Sequence, residues 1–181
     1  MATITRIFEF DSAHRVMNEK VKCFNLHGHR FKVELTFEYE IKGSLGYAID
    51  FKEIKRIAGT WLDENFDHAA ILNPLDEKLI MLCKNYGWKW YRMGLGQSSG
   101  CDINPSAENL ASEIFYSLRT IFQVNFKGIS LRNVRLYETP HCWVDTDKAD
   151  YAATPQRVKE LTEWATKMGV FNYDVRDNAK A

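Results

Sequence analysis

The alternation of apolar and polar residues after position 30 is the feature that most constrains the fold. From Phe31 to Ile41 every odd-numbered residue is apolar, and from Lys32 to Lys42 every even-numbered residue is polar or charged. A period of two over this length predicts a β-strand with one buried face. Continued backwards, the same phase places His27 and His29 on that face.

The N-terminal segment predicts a second strand that ends in another histidine. One phase, interrupted only by Arg6, gives its inner face: Ile4, Phe8, Phe10, Ser12 and His14. If the two strands pair antiparallel, the end of the first lies beside the start of the second, and His14 meets His27 and His29. Three neutral imidazoles suit zinc and leave a fourth position for water or substrate. The plainer alternative is that each histidine is a hydrogen-bonded residue of a sheet.

Composition narrows the class of protein. A chain of 181 residues, 45% hydrophobic and 27% charged, suits a single globular domain. Lys plus Arg and Asp plus Glu are 24 each, so nothing favours nucleic acid or a membrane surface. No apolar run approaches the ~20 residues that cross a bilayer, and the N-terminus lacks the apolar core of a signal peptide. Four cysteines without a CxxC pair favour reduced thiols in the cytoplasm.

The rest of the chain predicts two helices followed by two more strands. The first helix begins at the N-cap Asp50, where Glu53 would complete a capping box, and it ends near Asn65. The second begins after Ser106. Residues 129–138 and 143–149 read as strands. This order indicates an α+β fold, an antiparallel sheet with helices on one face.

Two segments stand outside that pattern. Residues 75–104 are interpreted as an insertion that would serve as a lid or an oligomer contact, with a short helix, an ordered aromatic loop around Trp88 to Tyr91 and a flexible glycine-rich end at 94–100. From residue 154 a helical stripe begins and then becomes polar. We therefore divide the chain into one domain at 1–153, containing the insertion, and a helical extension at 154–181.

Several side chains besides the three histidines are candidates for chemistry. Cys23 lies four residues before His27, and Asp67 directly precedes His68. Glu138 continues the buried phase of its strand, where a carboxylate needs a partner. Each has a plain alternative: Cys23 as a fourth ligand of a structural zinc site, the Asp-His pair as an exposed loop feature, and Glu138 as a strand-end salt bridge.

A set of motifs resembles the 6-pyruvoyl-tetrahydropterin synthase family over residues 3–75 and 104–150. In chain order these are Phe10-Asp11-Ser12-Ala13-His14, Cys-x-x-x-His-Gly-His at 23–29, Ile49-Asp50-Phe51, Phe66-Asp67-His68, Pro105-Ser106-Ala107-Glu108-Asn109 and Tyr137-Glu138-Thr139. The spacing of the second motif is more similar to the 6-carboxytetrahydropterin synthase branch than to the animal pyruvoyl enzyme. Cys23 followed by Phe24 argues against a folate-pathway branch that has glutamate near the cysteine's place.

The resemblance implies a tunnelling fold, in which ββααββ subunits form barrels and usually hexamers. It implies a zinc-dependent lyase that converts 7,8-dihydroneopterin triphosphate to 6-carboxy-5,6,7,8-tetrahydropterin, with release of triphosphate and acetaldehyde, in 7-deazaguanine (queuosine-type) biosynthesis. The alternatives are the pyruvoyl product from the same substrate, or a non-catalytic zinc- or pterin-binding protein.

The resemblance also assigns roles to individual residues. It matches His14, His27 and His29 to zinc ligands, Cys23, Asp67 and His68 to a catalytic triad, Glu138 to the acid that anchors the pterin ring, and Glu108 to a second acid near that pocket. Glu108 can equally be a first-turn acid favoured by the helix dipole.

Overall fold

The fold is built on one six-stranded sheet. The computed structural model describes residues 2–40, 42–43, 46–94, 102–149, 153–170 and 173–174. Strand β1 (Ala2–His14) pairs antiparallel with β2 (His27–Tyr39) over its whole length. The other edge of β2 pairs with β6 (Ile129–Thr139), which in turn pairs with β7 (Cys142–Thr146), both antiparallel. The predicted α+β class and the two predicted hairpins are confirmed.

One edge of the sheet differs from the sequence-based prediction. The short strands β3 (Ala69–Leu72) and β4 (Trp90–Arg92) add to β1 in parallel, so the order is β4-β3-β1-β2-β6-β7. The prediction of an ordered loop around Trp88 to Tyr91 is therefore wrong at Trp90 and Tyr91. Parallel pairing requires a crossover, which the helix between the two strands supplies.

Five helices accompany the sheet in the described part of the chain. They are α1 (Phe51–Ile54), α2 (Thr60–Asn65), α3 (Glu77–Tyr86), α4 (Ala107–Asn125) and α5 (Pro155–Lys167). A π-helical turn (Lys55–Gly59) joins α1 to α2. Short elements complete the chain: a 3₁₀ turn (Lys22–Phe24), and β5 (Phe126–Lys127) paired with β8 (Tyr173–Asp174).

The predicted helix starts are confirmed. The Asp50 carboxylate accepts the Lys52 N–H at 2.8 Å, and Ser106 accepts the Asn109 N–H at the start of α4. The carboxylate of Glu53, predicted to complete a capping box, instead pairs with the Arg56 guanidinium at 2.8 Å. The predicted glycine-rich end at 94–100 lies outside the described residues apart from Gly94, as do residues 175–181 of the tail.

The core lies between one face of the sheet and the helices. Phe31, Val33, Leu35 and Phe37 on β2 are fully buried, in the phase that the alternation predicts. They belong to one apolar cluster with residues from α1, α2, α4 and α5. Because the histidines continue this phase at the end of the ladder, the core holds them on a rigid base. Within the described ranges, no helix combines the length and apolar character needed to cross a bilayer.

Candidate metal centre and its surroundings

The register of β1 and β2 brings three imidazoles together. His14 lies opposite His27 and Ser12 lies opposite His29, so all three histidines are at one end of the ladder. Their potential ligand atoms all lie within 4.8 Å of one another. His14 is buried, and the other two are half-buried. The sequence-based expectation that the three histidines converge on one face is confirmed as geometry.

Gly28 allows the two strands to approach at this point. A Cβ placed on Gly28 would lie 3.0 Å from the carbonyl oxygen of Ser12, closer than Cβ atoms normally come to an oxygen. Since Ser12 lies opposite His29 and only two residues before His14, the glycine sets the spacing between the strands that carry the histidines.

Backbone carbonyls fix the protonation of two rings. Nδ1 of His14 lies 2.6 Å from the carbonyl oxygen of Pro105, and Nδ1 of His27 lies 2.7 Å from that of Asn25. A carbonyl only accepts, so each Nδ1 carries the proton and each neutral ring presents an Nε2 lone pair. Carbonyls of this kind are the usual partners of histidines that bind metals.

Two imidazole nitrogens of the group are buried without a partner. Nε2 of His14 and Nε2 of His29 form no hydrogen bond within the described part of the chain. Burial lowers the pKa of His14, as do His27 and His29, and these effects outweigh the raising effects of Pro105 and Glu138. A neutral, buried and unpartnered imidazole nitrogen suits a metal ligand.

Glu138 adds a negative charge next to this group. Its Oε1 lies 3.6 Å from Nε2 of His14, so a carboxylate faces an unprotonated nitrogen. Two lone-pair atoms in this arrangement are stabilised by a cation between or beside them. The donor set, the orphaned nitrogens and the nearby carboxylate therefore all fit a divalent ion such as zinc.

Glu138 also lines a cavity of about 500 Å³ that His29 borders. This volume is within the usual ~300–1,000 Å³ of small-molecule sites. The Lys32 ammonium lies 4.1 Å from the centre of the Tyr137 ring. Oε1 of Glu34 lies 3.0 Å from Nζ of Lys32, and this contact raises the Lys32 pKa. The cavity thus lies beside the three histidines, which we call the metal group, and is also lined by the Tyr137 ring and the Glu138 carboxylate.

Asp67 and His68 lie on a tight turn before β3. Asp11 holds this turn with its backbone: its N–H donates to Asp67 Oδ1 at 2.9 Å, and its carbonyl accepts the His68 N–H at 2.6 Å. His68 has a left-handed backbone, with φ of 56°, and its Nδ1 donates to Asp67 Oδ2 at 2.7 Å. Adjacent strand residues point apart, so the turn is what allows these two side chains to meet.

The electrostatics of this pair favour an ionised carboxylate. Burial raises the pKa of Asp67, but the hydrogen bonds from Asp11 and His68 and the charges of His68 and Lys89 together lower it by more, so it stays below its ordinary value. The imidazole of His68 is largely exposed. The pair can therefore hold or release a proton at an accessible nitrogen.

Lys89 contacts the Asp67–His68 turn, and the sequence did not predict this contact. Its ammonium donates to the carbonyls of Asp63 and Asp67, at the end of α2 and in the turn. A lone lysine beside an aromatic run gives no sequence signal for such a role. The carbonyls of Asn25 and Pro105 were also missed, since backbone groups have no residue-type signature.

The remaining candidates lie at the periphery. Cys23 is exposed on the 3₁₀ turn, which the hydrogen bond from the Val16 N–H to the Cys23 carbonyl ties to the end of β1. Its sulfur is not one of the clustered ligand atoms. The Asp67–His68 turn is attached to β1 at Asp11 instead. Glu108 is exposed on the first turn of α4. The roles assigned to Cys23 and Glu108 remain predictions.

Comparisons with known sequences give a consistent set of relatives. A family model described as 6-pyruvoyl tetrahydropterin synthase matches residues 3–149. A protein of Rickettsia felis named 6-carboxy-5,6,7,8-tetrahydropterin synthase is 38% identical over 148 residues, which are 80% of this chain and 99% of the relative. A Rickettsia conorii protein of the same name is 40% identical over 150 residues, with the same coverage of each chain.

Solved structures support the fold. An uncharacterized protein of Wolinella succinogenes superposes with a TM-score of 0.61 at 23% identity, over 81% of this chain and 97% of that one. The 6-pyruvoyl tetrahydropterin synthase of Caenorhabditis elegans gives a TM-score of 0.56 at 21% identity, over 82% and 96%. At these identities the likeness concerns the fold alone.

Proposed function

Since this chain belongs to the 6-pyruvoyl tetrahydropterin synthase family, we propose that it is a zinc-dependent lyase. Its substrate is 7,8-dihydroneopterin triphosphate, and its products are 6-carboxy-5,6,7,8-tetrahydropterin, triphosphate and acetaldehyde. The names of the Rickettsia relatives support this product over the pyruvoyl compound. The reaction would serve 7-deazaguanine (queuosine-type) biosynthesis.

The observation that carries the proposal is the group of three imidazoles. His14 and His27 offer Nε2 because carbonyls hold the proton at Nδ1, and His29 offers a buried nitrogen without a partner. Three protein ligands with an open fourth position are typical of catalytic zinc. When bound, zinc would act as a Lewis acid toward the hydroxyls of the substrate side chain and so acidify the adjacent carbon.

Cys23 would take the proton from that carbon. Its thiol is exposed on the turn that precedes β2 and is not among the clustered ligand atoms, which supports a free base over a structural ligand. Asp67 and His68 would return a proton: the carboxylate orients the ring by its contact with Nδ1, leaving Nε2 for the exchange.

The attachment points of these groups favour a site shared by two subunits. The Cys23 turn is fastened at Val16, beyond the end of β1, and the His68 turn at Asp11, within β1. The edge of β1 that faces away from β2 has a described partner strand only at Ser12–His14. Open strand edges favour pairing with another copy, so we extend the proposal to a homo-oligomer, trimer-based or hexameric.

Glu138 would anchor the pterin. Its two oxygens can accept hydrogen bonds from the ring's 2-amino group and the adjacent ring N–H, a charge-assisted bidentate contact. Its position in the cavity beside His29 supports this role, because the ring would then hold its side chain against the metal group. Glu108 would be a second acid in the assembled pocket. The free thiols Cys23, Cys83 and Cys142 support a reducing, cytoplasmic setting.

The second candidate product is the pyruvoyl compound, which the description of the matching family model names. The two products are chemically close. Loss of triphosphate and rearrangement give the pyruvoyl side chain, and addition of one water with cleavage between its two carbonyl carbons gives the carboxylate and acetaldehyde. The difference thus lies in whether water reaches that bond.

Product analysis on zinc-loaded protein tests the proposal. The pterin is identified by mass spectrometry, and acetaldehyde is assayed separately. Carboxytetrahydropterin with acetaldehyde is the expected result, and His29→Ala should abolish both zinc binding and product. His141→Ala, an exposed histidine on the β6–β7 turn, is the matched control and should retain both. Pyruvoyl product without acetaldehyde would replace the proposal by the second candidate. Unchanged substrate with folded, zinc-bearing protein would favour a binding protein.

A further inference from the structure

The side chain of Asn104 connects the two chain segments that meet behind the metal group. Its Oδ1 accepts the Met17 N–H at 2.7 Å, and its Nδ2 donates to the Met17 carbonyl at 3.2 Å. One amide side chain thus pairs with both backbone groups of one residue, as a neighbouring strand would. Because Met17 follows His14 by three residues, this pairing fixes Asn104 relative to the end of β1.

Asn104 is itself held from two further directions. Asn73, which is 1% exposed, donates from Nδ2 to Asn104 Oδ1 at 2.9 Å. The carbonyl of Asn104 accepts Nδ2 of Asn109, in the first turn of α4, at 2.8 Å. Both the side chain and the peptide of Asn104 are therefore positioned by hydrogen bonds to separate elements.

The next residue along the chain contacts the metal group. The buried carbonyl of Pro105 accepts Nδ1–H of His14 at 2.6 Å. The proline ring fixes φ, so the direction of this carbonyl depends on the peptide before it and on the helix cap after it. The helix cap is Ser106, and the preceding peptide is that of Asn104.

We propose that Asn104 is a positioning residue of the metal centre. It holds the Pro105 carbonyl where that carbonyl keeps the His14 proton on Nδ1, and so directs the Nε2 lone pair toward the ion. The proposal rests on the metal-binding part of the proposed function and is independent of which reaction follows. A purely structural asparagine would affect stability without changing the His14 tautomer.

Two measurements on Asn104→Ala distinguish these roles. In metal-free protein at fixed pH, two-bond ¹H–¹⁵N NMR spectra identify which nitrogen of each histidine carries the proton. Zinc affinity is measured by competition with a chromophoric chelator. We expect His14 to change from the Nδ1–H form to a mixture, and zinc binding to weaken by about tenfold or more, the usual effect of losing support behind a ligand. Asn85→Ala, on the exposed side of α3, is the matched control and should change neither.

The outcomes separate this inference from the function it rests on. If Asn104→Ala folds with wild-type zinc affinity and with His14 still in the Nδ1–H form, the positioning role is wrong. If the wild-type protein binds no zinc, the proposed function fails first. Should Asn104→Ala not fold, Asn104→Ser decides by the same two outcomes, since serine keeps a polar group but is too short to bridge both groups of Met17.

Discussion

Replacing Gly28 by alanine tests whether the strand spacing controls the metal group. The added Cβ would lie 3.0 Å from Ser12 O, whereas ordinary contacts begin at 3.4 Å, so the strands must separate by about 0.4 Å. Overpacking of this kind costs about 1–3 kcal/mol, and loss of glycine's backbone freedom returns about 0.5–1 kcal/mol. We expect a net loss of about 1 kcal/mol in the free energy of unfolding.

The same displacement should weaken metal binding. Zinc–nitrogen distances tolerate only about ±0.2 Å, so a 0.4 Å separation of the strands that carry His14 and His29 should reduce zinc affinity by about tenfold. Chelator competition measures the affinity, and urea unfolding of the metal-free protein measures the stability.

Gly59→Ala is the control for this experiment. Its three nearest Cβ contacts would be side-chain atoms, the closest at 3.3 Å on the half-buried Phe8 ring, and the residue lies within a helical segment. Alanine in a helix gains up to about 1 kcal/mol over glycine. We expect unchanged zinc affinity and equal or higher stability. Gly28→Ala protein with affinity within twofold of wild type and no loss of stability would refute the reasoning.

Three further changes test other parts of the structure. Cys23→Ala should keep one zinc per chain, measured by metal analysis, and lower turnover by about 100-fold or more because the proton acceptor is lost. Lys89→Met removes the ammonium that holds the Asp67 carbonyl, so kcat should fall by about tenfold at unchanged zinc content. Tyr91 has its pKa raised well above 10.0 by burial and by Glu113. Only the unfolded state therefore releases this proton just above pH 10. The free energy of unfolding of the wild type, relative to that of Tyr91→Phe, should fall there by up to about 1.4 kcal/mol per pH unit.

Each of these has a control and a contrary outcome. Cys142→Ala, another exposed thiol, should retain zinc and turnover; loss of metal from Cys23→Ala would mean that the thiol is a ligand. Lys78→Met, exposed on α3, should leave kcat unchanged. An equal kcat in Lys89→Met would remove the role of that lysine. Parallel alkaline unfolding curves for wild type and Tyr91→Phe would contradict the assignment of a raised pKa to Tyr91.

The histidine group was predictable because it follows from a local rule. A period of two puts alternate residues on one face, and antiparallel pairing of neighbouring strands then places His14 opposite His27. The helix starts at Asp50 and Ser106 follow from capping chemistry, which also acts within a few residues. In each case the cause lies close in sequence to its effect.

The missed features depend on distant contacts. Strands β3 and β4 have four and three residues, too few to show a period, and exist because β1 offers them an edge. The carbonyl of Pro105 reaches His14 across 91 positions of sequence. Lys89 meets Asp67 only because β4 pairs beside β3. No residue-type pattern encodes such meetings.

The hydrogen bond between the side chains of Asn73 and Asn104 fastens together the two ends of a long segment. Within that segment α3 and β4 pack against the rest of the protein, and Tyr91 and Met93 are buried. The connection between these two elements is exposed at Gly87, and extra length costs little there, since doubling a loop costs only about 0.6 kcal/mol. A peptide tag spliced after Gly87 should therefore leave zinc binding intact.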